Sequence, residues 1–376
     1  MRALVAWRIL THEVARSLLA ILGVFAAIVL VFMQLGFYSS VPIGSMFVYD
    51  AMKFDIALTS RDYAFQIRPD QFPRRRLYQA AAFPEVESAV AFYQDYGRWL
   101  NAEDEQIRQI YVMGFDPDQD VFAVPGIREN ASKLKARDVF IMDTASRPLY
   151  GGRDIGTSVE INGRKMEIVG GYTLGTGFLS LGIIVVSDLN FVRLFPKQSL
   201  DDIQMGLIRL KPGSDVEEAV RRIQAALPGD TRVLSRQEFA ANEQDYWLNA
   251  TSTGLVFGFG TAVAAVVGMA ILFQTLSSMI LRSLPEYAVL KAIGYTDRYL
   301  TEIVVYQAMF IVLVAFIPAL IASFGLYNVA RDATRLSIYM TETRIILVLV
   351  ATLAASIVGG MMTNRILKRA DPVDLF

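Results

Sequence analysis

The chain has 376 residues, of which 53% are hydrophobic and 19% charged, with formal net charge −1, one histidine and no cysteine. Its mean hydropathy of +0.37 is too high for a soluble globule, yet the charge content is too high for a bare bundle of spans, so the apolar residues must be segregated along the chain. The lack of cysteine rules out disulfides and thiolate chemistry, and with one histidine most nucleophile–base pairs and most transition-metal sites are excluded.

From the N-terminus, residues 1–17 place Val5, Ala6, Trp7, Ile9 and Leu10 among Arg2, Arg8 and Arg16 at helical spacing. This reads as an amphipathic helix at the membrane interface or as a plain extension of the span that follows. His12 is expected on its surface. Four apolar runs then reach the roughly 20 residues needed to cross a hydrocarbon core: Leu18–Phe37, Leu255–Leu281, Ile303–Leu326 and Ile345–Ile366. They define spans at 18–38, 254–281, 299–327 and 344–367. None carries a Lys, Arg, Asp or Glu well inside, and their amides are Gln34, Gln274, Gln307 and Asn364. Intramembrane charge marks ion and proton paths, so nothing here points to an ion-coupled pump. The first run lacks a small-x-small cleavage pattern and is expected to be retained.

Arg2, Arg8, Arg16, Arg282, Lys291, Arg298, Arg365, Lys368 and Arg369 fall on one side of such a four-span chain, against Arg331, Arg335 and Arg344 in the short loop 328–343 and its flank. By the positive-inside bias, both termini (with the tail 368–376) and the loop 282–298 are cytoplasmic. The large segment 39–235 then faces outward. It carries more Asp and Glu than Lys and Arg, which argues against nucleic acid as a partner.

Within that segment Phe54–Thr59 is strand-like and Pro73–Phe83 helical, while Val86–Leu100 and Gln106–Phe115 are rich in β-branched and aromatic residues. Later, Ile203–Leu210 is strand-like, Val216–Leu227 is an amphipathic helix started by Ser214 and Asp215, and Thr231–Leu234 is a short strand. The pattern predicts a split βαβ-type sandwich built from about 50–124 and 201–235, with an inserted, mostly β subdomain at about 125–200. In the insert, alternating runs flank Asn162-Gly163, a dipeptide suited to the positive φ angles of a tight hairpin. Residues 236–253 turn helical and predict a stalk continuous with the second span.

Chemistry is sparse. A Walker A sequence is absent, so ATP hydrolysis by that route is not expected of this chain. Asp116-Pro117-Asp118-Gln119-Asp120 starts like a calcium loop but has Val121 and Ile127 where glycine and glutamate belong, and reads as a turn. Gly175-Thr176-Gly177 with Gly182 lacks the βαβ frame of a dinucleotide site. No cofactor, metal site or catalytic residue is predicted. Gly254, Gly258, Gly260 and Gly268 in the second span, with Gly359 and Gly360 in the fourth, permit close helix approach, either within the chain or across a homodimer.

The loop 282–298 is the most informative stretch. Ser283 and Glu286 have capping-box spacing, Pro285 suits a first helical turn, Gly294 suits a left-handed stop, and Thr296 or Asp297 can cap the next helix. A short, separately capped helix results. Its Ala288, Val289, Leu290, Ala292 and Ile293 exceed what two turns can hide against their own chain; they suit lipid headgroups or a groove on a partner.

The pattern Arg282-x3-Glu286-x3-Leu290-x-Ala292-x-Gly294 ahead of a span resembles the loop between the second and third spans in the MacB/FtsX superfamily of ABC permeases. The ending Asp371-Pro372-Val373-Asp374-Leu375 is similar to one common there. Phe32-Met33-Gln34-Leu35-Gly36-Phe37, Gly114-Phe115-Asp116-Pro117, Tyr150-Gly151 and Leu290-Lys291-Ala292-Ile293-Gly294-Tyr295 resemble the DevC branch. The resemblance covers essentially the whole chain and implies a non-catalytic permease subunit, working as a homodimer with a separate ABC ATPase. It implies that Arg282, Glu286, Tyr287, Leu290, Lys291, Ala292 and Gly294 form a coupling helix in the ATPase cleft. It also implies a membrane-fusion adaptor, a TolC-like outer-membrane channel, and an inner-membrane location with the large domain in the periplasm. FtsX-like regulators of cell-wall hydrolases and LolC/LolE-like lipoprotein-releasing permeases share the layout. A membrane-anchored ligand sensor would need a cytoplasmic output domain larger than these short segments.

Overall fold

The computed structural model describes residues 2–12, 14–101, 104–175, 177 and 180–368. The chain divides into two compact units, one holding Met1–Ser40, Gly254–Thr334 and Ile338–Phe376, the other Val41–Thr253 and Arg335–Ser337.

The first unit is helical. A short helix α1 (Arg2–His12) precedes α2 (Val14–Asp50), an unbroken helix of 37 residues with Pro42 inside it. At 1.5 Å per residue α2 is about 55 Å long, well beyond a hydrocarbon core of roughly 30 Å. Its last turns therefore belong to the second unit. Among the described residues four helices are long and apolar enough to cross a membrane, at Ser17–Asp50, Ser252–Met279, Asp297–Thr334 and Glu342–Met361. Val24, Ile28 and Phe32 of the first pack with Leu272 and Leu276, with Ala308, Ile311, Val312, Ala315 and Ala319, and with Val348. The small residues of that set allow the helices to approach closely.

The second unit starts with β1 (Ile56–Ser60), β2 (Phe72–Pro73), α3 (Arg75–Ala81), β3 (Val86–Leu100) and β4 (Ile107–Phe115). Next come α4 (Pro125–Asn130), β5 (Val139–Asp143), β6 (Ser158–Ile161), β7 (Arg164–Tyr172), β8 (Ile183–Ser187) and α5 (Asp188–Leu194). It closes with β9 (Asp202–Ile203), β10 (Met205–Leu210), α6 (Val216–Ala226), β11 (Thr231–Ser235) and α7 (Arg236–Asn249). Nine strands form one sheet in the order β11-β1-β10-β3-β4-β8-β5-β7-β6, and β2 pairs with β9 in a small second sheet.

The segment 125–200 is thus wired into the sheet of its flanks. β8 runs parallel to β4, and the end of the 15-residue strand β3 pairs with β6 at Trp99↔Ile161 and Leu100↔Glu160. Those pairings close β3, β4, β8, β5, β7 and β6 into a ring, which leaves no open edge on that side. The ring encloses fully buried Trp99, Phe140 and Tyr150, with the Trp99 indole donating to the Tyr150 backbone oxygen at 3.1 Å. The segment also carries α4 and α5, which the expectation of a mostly β insert did not include; Ser187 caps α5 by accepting from Asn190 N. The Asn162-Gly163 hairpin is present, with φ of 54° and 76° at its two residues and Ile161 opposite Arg164. Asp215 caps α6 by accepting from the backbone of Glu217 and Glu218 at 3.0 and 3.1 Å.

The remaining helices are α8 (Ser252–Arg282), α9 (Leu284–Ala292), α10 (Asp297–Thr334) and α11 (Glu342–Lys368). The stalk is not continuous with the second span. The last turn of α7 closes on Ala250, whose N–H donates to the Tyr246 oxygen, and α8 starts afresh at Ser252. The continuous helix is instead α2.

Candidate functional site: the loop helix and the connectors

The loop between α8 and α10 folds as α9, a helix of nine residues with Pro285 in its first turn. The capping box does not form. Ser283 has φ −89° and ψ 9°, a bridge-region backbone rather than the extended one a cap needs, and its side chain makes no cap bond. The tight entry from α8 is the cause, since Ser283 N still bonds to the Met279 oxygen as part of the preceding helix. The C-terminal stop forms as the sequence implies. Gly294 has φ +105°, its N–H donates to Lys291 O at 3.0 Å, and the Tyr295 N–H donates to Leu290 O at 3.1 Å, a Schellman closure. Thr296 caps α10 through its hydroxyl oxygen and the Tyr299 N–H at 3.4 Å.

One face of α9 is fixed. Tyr287 and Ala288 are buried, and Tyr287 packs with Ala6 of α1 and with Leu300, Ile303 and Val304 of α10. The Tyr287 hydroxyl donates to Gln307 Oε1 at 2.6 Å, tying α9 to the interior of α10. Leu290 packs half-buried against the same cluster, and Lys291 pairs with Asp297 at 3.2 Å. The opposite face is open: Val289 is 45% exposed, Ile293 70% and Tyr295 41%, with Ala292 and Gly294 beside them. Glu286 is partly exposed. The side chain of Arg282 and the ending Asp371-Pro372-Val373-Asp374-Leu375 lie outside the described residues.

The span glycines face neighbours in the same chain. A Cβ on Gly260 would stand 2.8 Å from Gln34 Oε1, one on Gly268 3.2 Å from Val31 Cγ2, and one on Gly258 3.5 Å from a Tyr38 ring carbon. Gly254 is buried. A Cβ on Gly359 would stand 3.5 Å from Leu276 Cδ1 and one on Gly360 3.6 Å from Val305 Cγ2, ordinary contact.

Two groups of residues take roles in the fold that the sequence reading did not assign to them. In the second unit, Arg236 at the start of α7 donates to the backbone oxygens of Met52 at 2.9 Å and Tyr49 at 3.2 Å, and its guanidinium lies 4.6 Å from the Phe54 ring. Two turns on, Glu243 is 1% exposed and accepts from the Tyr63 hydroxyl at 2.8 Å. Burial pushes its carboxyl up to about 7, offset only in part by the hydrogen bonds it accepts. The spacing Phe239, Glu243, Trp247 puts the acid between two aromatics on one helical face, a signal available in the sequence. In the first unit Arg344 is 8% exposed, with donors on Tyr327 Oη at 3.3 Å, on Tyr339 O at 2.5 Å and on Ser39 Oγ.

Among the described residues no group of three or more His, Cys, Asp or Glu side chains is placed to hold a metal ion.

The family model of the MacB-like periplasmic core domain matches residues 17–226, and that of the FtsX-like permease C-terminal region matches residues 258–371. The chain belongs to the MacB/FtsX superfamily of ABC permeases. The permease is accordingly a multi-pass membrane protein with a periplasmic domain, the membrane component of an ABC system whose ATPase is a partner. The crystal structure of the periplasmic region of MacB from Actinobacillus actinomycetemcomitans is similar over 55% of the permease and 97% of its own chain, at 9% identity and TM-score 0.38. The extracellular domain of the noncanonic ABC-type transporter YknZ from Gram-positive bacteria is similar over 48% and 98%, at 14% identity and TM-score 0.34. No curated protein matches the permease in sequence.

Proposed function

We propose that this permease belongs to an exporter of the MacB/DevC type, with both termini cytoplasmic, and that it passes an ATP-driven conformational change across the inner membrane. The observation that carries this reading is α9: a helix anchored on one side by Tyr287 and Gln307, with Val289, Ala292, Ile293 and Tyr295 open on the other. A helix so held moves with α10 when pushed, and its open apolar face suits the cleft of an ATPase. The charge-free centres of the spans favour transmission over a hydrophilic conduit. The stroke reaches the periplasmic domain through α2 and the α7–α8 connector. There a membrane-fusion adaptor and a TolC-like channel receive the cargo, with two copies of the permease per assembly.

Co-purification with the ATPase tests this. Val289→Asp and Ile293→Asp are the informative variants, because Leu290 is half-buried and an aspartate there would disturb the fold. Retained association and unchanged ATPase stimulation in both variants would sink the coupling role of α9. A cell-wall hydrolase or a lipoprotein chaperone recovered in place of an adaptor would redirect the assignment to the FtsX-like or LolC/LolE-like branch.

A further inference from the structure

Glu243 belongs to a closed ring of buried polar groups. Tyr63 Oη donates to its Oε1, Tyr63 and Tyr49 share a hydrogen bond of 3.0 Å, and Gln94 Nε2 donates to Tyr49 Oη at 3.4 Å. Tyr111 Oη donates to Gln94 Oε1, Gln66 Nε2 donates to Tyr111 Oη at 3.4 Å, and the Gln66 backbone N–H returns to Glu243 Oε2 at 3.3 Å. With Tyr63 spending its proton on the carboxylate, Tyr49 must donate to Tyr63. Every side-chain donor in the ring then points toward Glu243.

A charged Glu243 fits that polarity, and a neutral one does not. Of the groups bonded to the carboxyl in the ring, Gln66 N–H can only donate, so a proton on Glu243 can be given only to Tyr63 Oη. Tyr63 then donates to Tyr49, Tyr49 to the Gln94 oxygen once that amide turns over, and the chain runs the other way. The two polarities keep the same number of bonds and differ in the charge on α7.

The ionisable groups facing Glu243 are Tyr49 of α2, Tyr63 of the loop after β1 and Tyr111 of β4, with Tyr96 of β3 against the Tyr111 ring at 5.3 Å. On α7 itself Arg236 is committed to carbonyls of 49 and 52, and Asp245 is bonded to Asn249. No cation faces the carboxylate among the described residues. A buried anion that has hydrogen-bond donors but no cation against it is costly, and the cost is relieved when α7 moves out to water.

We propose that Glu243 is a proton-sensing switch of the periplasmic domain: neutral, it holds α7 firmly against the end of α2, and charged, it loosens that contact. Its ionisation falls at about 7, inside the range an extracytoplasmic compartment visits. Any bearing on transport rests on the transmission reading above, whereas the switch itself does not.

Hydrogen exchange of residues 236–249, followed by mass spectrometry on the full-length permease in lipid nanodiscs from pH 5.5 to 8.5 and corrected for intrinsic rates, tests it. Local opening should increase on the order of tenfold across that range, with a midpoint near 7. Glu243→Gln should hold the low-pH protection throughout, and Tyr63→Phe, which removes a donor to the anion, should move the midpoint upward. Flat protection in the wild type, or an unmoved midpoint in Glu243→Gln, overturns the switch. Where Glu243→Gln fails to accumulate, Tyr63→Phe decides: an upward shift supports the switch, and an unmoved midpoint overturns it. Loss of ATPase association in the α9 variants with this titration intact would fault the transmission reading alone.

Discussion

Arg236 and Tyr49 are 187 residues apart in the chain, yet the guanidinium of one donates to the backbone oxygen of the other at 3.2 Å. The first stands at the head of α7 and the second in the last turn of α2, so the contact ties together the incoming and outgoing connectors of the periplasmic domain. Helix ends leave carbonyls without intrahelical partners; Arg236 reaches one of them, Tyr49 O, which also accepts from the Met52 N–H at 3.0 Å, and it stacks on Phe54.

Arg236→Gln should therefore destabilise the junction more than the loss of a surface ion pair would. The Asp50 contact at 3.3 Å is exposed and contributes little, but the carbonyls lose a charged donor, at about 2 kcal/mol. Faster hydrogen exchange at residues 45–55, with the ring of β3–β8 unaffected, is the expected outcome.

Tyr287→Phe separates anchoring from contact in the loop helix. The substitution keeps the ring in its pocket but leaves Gln307 Oε1 without its donor, in a side chain whose Nε2 already lacks a partner among the described residues. The expected cost is about 1–3 kcal/mol, seen as a lower thermal midpoint in nanodiscs. The ATPase should still bind, because the exposed face is intact, while stimulation of its turnover falls.

Much of this architecture was legible because it rests on periodicity. The four spans, β3 at Val86–Leu100 and the Asn162-Gly163 hairpin follow from hydropathy, alternation and turn chemistry, all local properties. The closure of the sheet through β3 and β6 was not legible, since it pairs Trp99 with Ile161 and no local pattern encodes a partner so distant. The Ser283 cap failed for a related reason: the spacing is right, but the chain arrives at Ser283 still hydrogen-bonded to α8, and that geometry overrides the motif. Arg344 counted in the sequence as a loop charge, and only the fold reveals that it is buried.

The pH dependence of stability follows from Glu243. Its carboxyl is raised in the folded domain from 4.5 to about 7, so the folded state binds the proton more tightly than the unfolded state. The stabilisation is complete below 4.5, declines as pH rises from there, and is lost once pH passes about 7. Urea midpoints of the full-length permease should fall between pH 5 and 8, and the fall should be shallower in Glu243→Gln.

Arg344 poses the reverse problem, a buried cation with no carboxylate against it among the described residues. Its guanidinium reaches Ser39 of α2, Tyr327 of α10 and the carbonyl of Tyr339, while Tyr327 passes its own proton to the Phe32 oxygen. Burying a charge is tolerated only where hydrogen bonds replace its water, and a planar fork of donors can serve three acceptors on separate segments where an ammonium at the end of a flexible stem cannot. Arg344→Lys should therefore behave as a disruptive change, lowering stability by about 2–4 kcal/mol. Arg344→Met, which removes the charge together with its desolvation cost, should be no worse than Lys despite leaving the acceptors unpaired. Thermal midpoints of the two variants in one lipid composition check this: a Lys variant matching wild type would show that the charge alone is needed, and that the fork geometry is incidental.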